Sequence, residues 1–316
     1  MSPLVISRRN MVEMAQDSFT ESREPFREIN SDCLPPPPWG GRGTPAVGHT
    51  RPKTRLDPRS PLVHLMSLPP SAGQDANGRQ YTVAADGTLA VDAQPLAGVR
   101  VQSLPSCGLD HCIALGLAGE VFSWATGREG HRFGQLGWGK ANGSSELYTP
   151  RRVELPALAT AVAAGACHSA VIDEQRQLWV FGSDRWFQLG QNKPWSRGSI
   201  VQRAPVRVGG GVGATPVVGV ACGEDHTLAL DDKGQVWAWG RGEHGQLFGA
   251  AGRQFTAPPT RSSALTGREG AAAVAAAGHC SCSRLVGSAA PRCTGKCSER
   301  IRQLLLCQMG LVADDA

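Results

Sequence analysis

Between residues 226 and 240 apolar and polar side chains alternate with the two-residue period of a β-strand. His226, Leu228 and Leu230 fall on one face, residues 231–234 (DDKG) interrupt the alternation as a turn, and Trp237 and Trp239 resume it on a returning strand. This pattern predicts a β-hairpin with an aromatic second arm. It occurs twice more: GLDHCIALGLAGEVFSWATG from Gly108 and GACHSAVIDEQRQLWVFG from Gly165 stand beside GEDHTLALDDKGQVWAWG from Gly223. His111, His168 and His226 are 57 and 58 positions apart, each with a Gly three residues before it and an aromatic (Trp124, Phe181, Trp239) 13 residues after it. GQLG-like turns follow at 134–137, 187–190 and 245–248. A period of this size predicts one supersecondary unit copied along the chain, each copy burying its apolar face against its neighbours. The Gly before each His is expected to let two backbones approach closely, and the Gly after each aromatic to end the strand where the chain bends.

Mostly-β units of this length fit the blades of a β-propeller. The opening V-A-A/C-G-x-x-H, the hairpin, W-x-W/F-G, the GQLG turn and a Pro followed by Val resemble the repeat of the regulator of chromosome condensation family; residues 162–165, 220–223, 150–153 and 205–208 carry the match. The resemblance implies an all-β fold, a β-propeller of that family's blades. It is clear over the copies 97–157, 158–215 and 216–262 and fades on both sides. Upstream, Gly78, Tyr81, Thr82 and Asp86-Gly87 read as a worn copy with Tyr81 in place of His, too close to His111 for a whole blade. Downstream, residues 275–278 match the opening, but Ser281 falls at the His position and no W-x-W-G follows. Family members usually close seven blades, which at this period needs roughly 400 residues. The expected organisation is therefore an extended Pro/Arg-rich arm (1–62), an incomplete or open propeller of about four to five units (63–290) and a tail with a short helix (291–316).

An unclosed propeller leaves edge strands and apolar blade faces uncovered, so a partner or a capping segment is expected. The arm and the tail from Cys293 are the two candidates within the chain. In the tail, Ser298, Glu299 and then Ile301, Leu304, Leu305 and Leu306 fit a short capped amphipathic helix, either as a cap or as an unrelated extension. The arm holds Pro residues at 35–38 followed by Trp39 and shows no sustained period; it reads as an extended segment, lying across a partner or serving as a solvated linker.

Of the 316 residues 41% are hydrophobic, yet no stretch reaches the length and apolarity of a membrane span. The formal charge of +5 is spread among Asp and Glu, so no nucleic-acid stripe is indicated. The opening MSPLVISRRNMVEM lacks a secretory apolar region. A cytoplasmic location is expected, with mitochondrion and nucleus left open, and disulfides are not expected. Of the ten cysteines, Cys107, Cys112, Cys167 and Cys222 sit beside the Gly-x-x-His motif and are read as core thiols. His279, Cys280, Cys282, Cys293 and Cys297 offer the nitrogen and sulfur ligands of a tetrahedral zinc site, but C-x-C and C-x3-C are looser than paired C-x2-C motifs. No metal or cofactor is assigned.

The repeated His residues are read as structural, because a catalytic or ligating His is needed once per site and these recur at equivalent places. No catalytic triad or dinucleotide fingerprint is present, and GGGVG at 209–213 lacks the Lys-Ser/Thr of a phosphate loop. The expectation is a non-catalytic interaction scaffold, a subunit or accessory protein of a larger assembly. Candidate partner-binding residues are Trp39; Arg128, His131 and Arg132, in a loop four residues longer than in the second copy; and Arg185, Trp186, Lys193, Trp195 and Arg197, where aromatic and cationic groups interleave as interface anchors do. The resemblance implies a second reading, since the family's founding members are guanine-nucleotide exchange factors acting on a small GTPase through an inserted wedge. No segment here matches that wedge. The plant ultraviolet-B photoreceptor of the same fold requires Trp-rich openings, and GLDHC, GACHS and GEDHT contain no Trp.

Overall fold

The computed structural model describes residues 73–139, 147–191, 201–249, 255–262, 270–286, 288 and 290–309. The N-terminal arm, with Trp39, and Lys193, Trp195 and Arg197 lie outside the described residues. Among the described residues five antiparallel sheets follow one another, each built from strands paired in sequence order. The first blade comprises β1 (Gly73–Gln74), β2 (Gln80–Val83), β3 (Thr88–Val91) and β4 (Gln94–Arg100). The second holds β5 (Ser106–Cys107), β6 (His111–Leu115), β7 (Val121–Ala125) and β8 (Arg151–Val153). The third holds β9 (Ala159–Ala164), β10 (His168–Asp173), β11 (Leu178–Ser183) and β12 (Val201–Arg207). After a helical turn, α1 (Gly210–Gly213), the fourth holds β13 (Val217–Cys222), β14 (His226–Asp231), β15 (Val236–Arg241) and β16 (Phe255–Arg261). The fifth has three strands, β17 (Ala271–Ala277), β18 (Cys280–Leu285) and β19 (Arg292–Gly295), and is followed by the helix α2 (Glu299–Gln308).

The alternation in each hairpin is real, but in the second, third and fourth blades both faces are buried, because each of these is sandwiched between two others. On β14 and β15, Leu228, Leu230, Val236 and Ala238 pack against the fifth blade through Ala271 and Ala276. Ala229, Trp237 and Trp239 pack on the other side against Ala170, Ile172 and Val180 of the third. Innermost strands also meet: β5 lies against β9, β9 against β13 and β13 against β17. The result is an incomplete propeller; among the described residues no strand pairing or shared core joins the first blade to the fifth.

Three expectations are corrected. The region around Tyr81 is a complete four-stranded blade, made short by a tight turn at Asp92 and Ala93, both with positive φ (50° and 64°), between β3 and β4. In the fifth blade Cys280, not Ser281, stands opposite the strand-ending Gly295 as His226 stands opposite Gly240, because its opening loop is one residue shorter. Disulfides are present: Cys107–Cys112, Cys280–Cys297 and Cys282–Cys293. Cys107 and Cys112 face each other across the strand pair that closes the Gly-x-x-His corner, with Cα atoms 4.1 Å apart, so they are bridged rather than core thiols. Cys167 and Cys222 remain free thiols.

The two ends of the blade array are finished differently. On the first blade Tyr81 and Leu89 point into the second, while Gln80 and Thr82 on the opposite face are polar and exposed. Beyond the fifth, α2 lays Leu305 and Met309 onto Ala275, Ala277, Cys280 and Cys282 and turns Arg302 and Gln303 to solvent. The Ser298 hydroxyl accepts the Ile301 N–H at 3.3 Å and Glu299 occupies the first turn, the N-terminal chemistry its sequence predicts. Of the two readings of the tail, the structure selects the cap, as the terminal units of repeat proteins require.

Candidate interaction face

The loops joining first to second and third to fourth strands of every blade emerge on one face. There the repeat's signature residues are consumed in joining blade to blade. His168 Nε2 lies 3.0 Å from Thr227 Oγ1, and the Thr227 hydroxyl donates to the Gln188 carbonyl at 2.8 Å. The hydroxyl is thereby an acceptor toward the ring, which assigns the Nε2–H tautomer to His168. The same relay runs from His111 to Ser169 (2.9 Å) and on to the Gln135 carbonyl (2.9 Å); His226 reaches Ser281 at 2.8 Å. Trp239 Nε1 also donates to the Gln188 carbonyl, at 2.9 Å. Tyr81 fills the His place of the first blade: its hydroxyl donates to Asp75 (2.7 Å) and accepts from Trp124 Nε1 (3.3 Å).

Burial holds His111, His168 and His226 down to a pKa of about 3, so each ring is neutral at physiological pH. A Cβ on Gly165 would run into the His168 ring and the Gly223 carbonyl, which is why no other residue fits before the His. Backbone bonds complete the joints: Leu109 N–H to Ala166 O (3.1 Å), Ala166 N–H to Glu224 O (3.1 Å) and Glu224 N–H to Gly278 O (2.8 Å).

What remains exposed on this face comes from the loops. Arg128 and Arg132 are exposed, Arg132 pairing with Glu129 at 2.8 Å, and His131 is half-buried. In the next blade Trp186 is half-buried, with the Arg185 guanidinium 5.7 Å and that of Arg241 4.7 Å from its ring centroid. Arg241 comes from the fourth blade and is held by Asp225 at 3.4 Å and by Glu243. Trp186 thus both packs at a blade junction and presents an edge to solvent.

Beside it, across the joint to the fifth blade, His279 Nε2 lies 3.2 Å from Glu224 Oε2 and its ring 4.8 Å from that of His244. Burial, reinforced by the charge of Asp225 and opposed by Arg241, pushes the Glu224 carboxyl up to about 7. Burial, then Arg241 and His244, lowers His279 to about 4. The desolvated site disfavours both charges, so between about pH 4 and pH 7 the two carry one proton as a neutral pair. His279 is turned to Glu224, and Cys280, Cys282, Cys293 and Cys297 are paired as disulfides, so these five are not gathered as zinc ligands. Among the described residues no group of three or more His, Cys, Asp or Glu is placed to hold a metal.

Sequence reasoning names Arg185 and Trp186 as partner-binding candidates and His279 as a candidate zinc ligand, but passes over Arg241, Glu243, His244 and Glu224. The available signal was positional: residues 241–244 (RGEH) stand where the second copy has 183–186 (SDRW), so the same loop carries charge in successive blades.

Two family models match, each described as the regulator of chromosome condensation (RCC1) repeat, over residues 177–230 and 217–246. The X-linked retinitis pigmentosa GTPase regulator homolog of Caenorhabditis elegans is 35% identical over 142 residues, 45% of this chain and 10% of that protein. The secretion-regulating guanine nucleotide exchange factor of Mus musculus is 33% identical over 164 residues, 50% of this chain and 33% of that protein. The chain therefore spans a third or less of the length of these relatives. Among solved structures, Prp20p of Saccharomyces cerevisiae, a protein with binding properties to Gsp1p and histones, aligns with a TM-score of 0.52 at 20% identity, over 76% of this chain and 57% of that one. Together with the Gly-x-x-His joints, these matches identify residues 177–246 as RCC1 repeats and the fold as an RCC1-type β-propeller.

Proposed function

We propose that the chain is a non-catalytic protein-interaction platform, a subunit or accessory protein of a larger assembly, that receives its partner on the face of the Gly-x-x-His and GQLG loops. The observation that carries this reading is Trp186 held half-exposed between Arg185 and Arg241, a rigid aromatic anchor with its cations already positioned. The repeat's own His, hydroxyl and Gln groups are committed to the blade joints, which leaves recognition to the loops. In this reading the Pro-rich arm at 1–62 extends along the same partner, and no helix of the described residues is long and apolar enough to cross a membrane.

Affinity purification of the tagged full-length chain from its native cells, with mass spectrometry of stoichiometric companions, tests the reading. Trp186→Ala is expected to reduce recovery of those companions by about tenfold or more, the scale of an interface hot spot, while leaving strand content unchanged. Undiminished recovery would count against this face.

A second reading, guanine-nucleotide exchange on a small GTPase, is favoured by the match to the mouse exchange factor. It predicts accelerated nucleotide release by the purified chain and a GTPase that dissociates when nucleotide is added.

A further inference from the structure

A groove of about 540 Å³ opens over the C-terminal cap, lined among others by Phe248, Arg292, Cys293, Cys297, Glu299 and Arg302. Its floor thus carries one cysteine from each of the two tail disulfides. Cys293 and Cys297 are half-buried, whereas their partners Cys282 and Cys280 are fully buried on β18 beneath α2. The third disulfide offers no such approach, since Cys107 and Cys112 are both buried between the first and second blades. Two bridges are accessible from one side, and one is closed.

We propose that this groove is a thiol–disulfide exchange site at which a dithiol reductant opens the two tail bridges and releases the α2 cap. A thiolate of the dithiol attacks Cys293 Sγ or Cys297 Sγ and forms a mixed disulfide. The electron pair of the broken bond passes to Cys282 Sγ or Cys280 Sγ, which takes a proton. The second thiol of the reductant then displaces the mixed disulfide, leaving Cys293 or Cys297 as a thiol and the reductant as its own disulfide, two electrons per bridge. Arg292 and Arg302 at the rim supply positive charge where an anionic thiolate must arrive.

The placement of the bridges makes the cap depend on them. Cys297 immediately precedes the Ser298 cap of α2, so the bridge to Cys280 anchors the start of the helix. Cys293 lies on the four-residue edge strand β19, directly opposite Cys282, so the second bridge fastens that strand. Without them a ten-residue helix rests, among the described side chains, on buried Leu305 and on Met309 just past its end, and an isolated helix of that length is marginal in water. Reduction is therefore expected to undock α2 and uncover Ala275 and Ala277 on the outer face of the fifth blade.

The test uses the full-length chain purified without reductant, treated with graded dithiothreitol, trapped with N-ethylmaleimide and peptide-mapped, with hydrogen exchange recorded in parallel. Cys280, Cys282, Cys293 and Cys297 should be trapped about tenfold faster or more than Cys107 and Cys112, and exchange should rise across 299–308 while β9 to β11 and β13 to β15 stay protected. Arg302→Glu should slow opening about threefold by repelling the incoming thiolate. Equal rates for all three bridges would overturn the site, as would thiol labelling that shows the four tail cysteines unpaired before any reductant is added. Unchanged protection of α2 after its bridges open would overturn the release.

Discussion

Thr227→Val isolates the chemistry of one blade joint, because valine keeps the shape of threonine and removes only the hydroxyl. In the wild type that hydroxyl accepts from His168 Nε2–H at 3.0 Å and donates to the Gln188 carbonyl at 2.8 Å. His168 and Thr227 are both 0% exposed, so no water replaces the lost partner. An unsatisfied buried donor costs about 1–3 kcal/mol, whereas the Gln188 carbonyl keeps its bond from Trp239 Nε1 and loses less. The expected destabilisation is about 2–3 kcal/mol, a large share of the ~5–15 kcal/mol that holds a typical domain together. Urea unfolding followed by Trp fluorescence measures it, and hydrogen exchange locates it at β10, β13 and β14, since repeat stability is built from nearest-neighbour interfaces. The double variant His168→Leu/Thr227→Val should recover part of the loss, because replacing both partners by apolar groups removes the orphaned donor. A loss below about 0.5 kcal/mol, with unchanged exchange at those strands, would refute the claim that the relay holds the blades.

The three relay histidines also set the acid limit of the fold. Their folded pKa of about 3 lies below the ordinary 6.5, so the unfolded chain binds more protons and stability falls as pH drops from about 6.5 toward 3. With three such groups the slope near pH 5 should approach about 4 kcal/mol per pH unit, read from urea midpoints at successive pH values; a flat profile there would contradict their burial as neutral rings. Glu224 works in the opposite sense. Its carboxyl is raised to about 7, so its ionisation in the fold is penalised and stability is lost as pH rises from about 4.5 through 7. Glu224→Gln should therefore stabilise the fourth–fifth blade joint at pH 8 by up to about 3 kcal/mol and change little at pH 4, a difference that melting curves at the two pH values would show. Gly165→Ala places a Cβ against the His168 ring and the Gly223 carbonyl and should cost about 3 kcal/mol or more, with exchange rising first at β9 and β10; a neutral outcome would mean the backbones separate freely there.

The parts of this protein legible in its sequence are those encoded at short range. Alternation between residues 226 and 240, the glycine three residues before each His and the aromatic thirteen after it specify hairpins and their turns, because strand geometry ties side-chain direction to parity and only Gly fits the crowded corner. The all-β propeller, the structural role of the histidines and the helix after Ser298 follow from such patterns. Other features rest on contacts between residues far apart in the chain. The hydroxyl that receives His168 is 59 positions away, and Arg241 reaches Trp186 from another blade. The first blade reads in sequence only as a worn copy, too short for a whole blade, because compact strands and the Asp92-Ala93 turn compress four strands below the repeat's period. The expectation of no disulfides rests on the lack of a secretory apolar region, whereas pairing is decided by register: Cys282 meets Cys293 only when β18 and β19 align, a fact of the folded sheet that cysteine spacing does not contain. Periodicity is a property of the local chain, whereas the joints, the cap and the shared proton of Glu224 and His279 arise only when separate blades bury the same groups together.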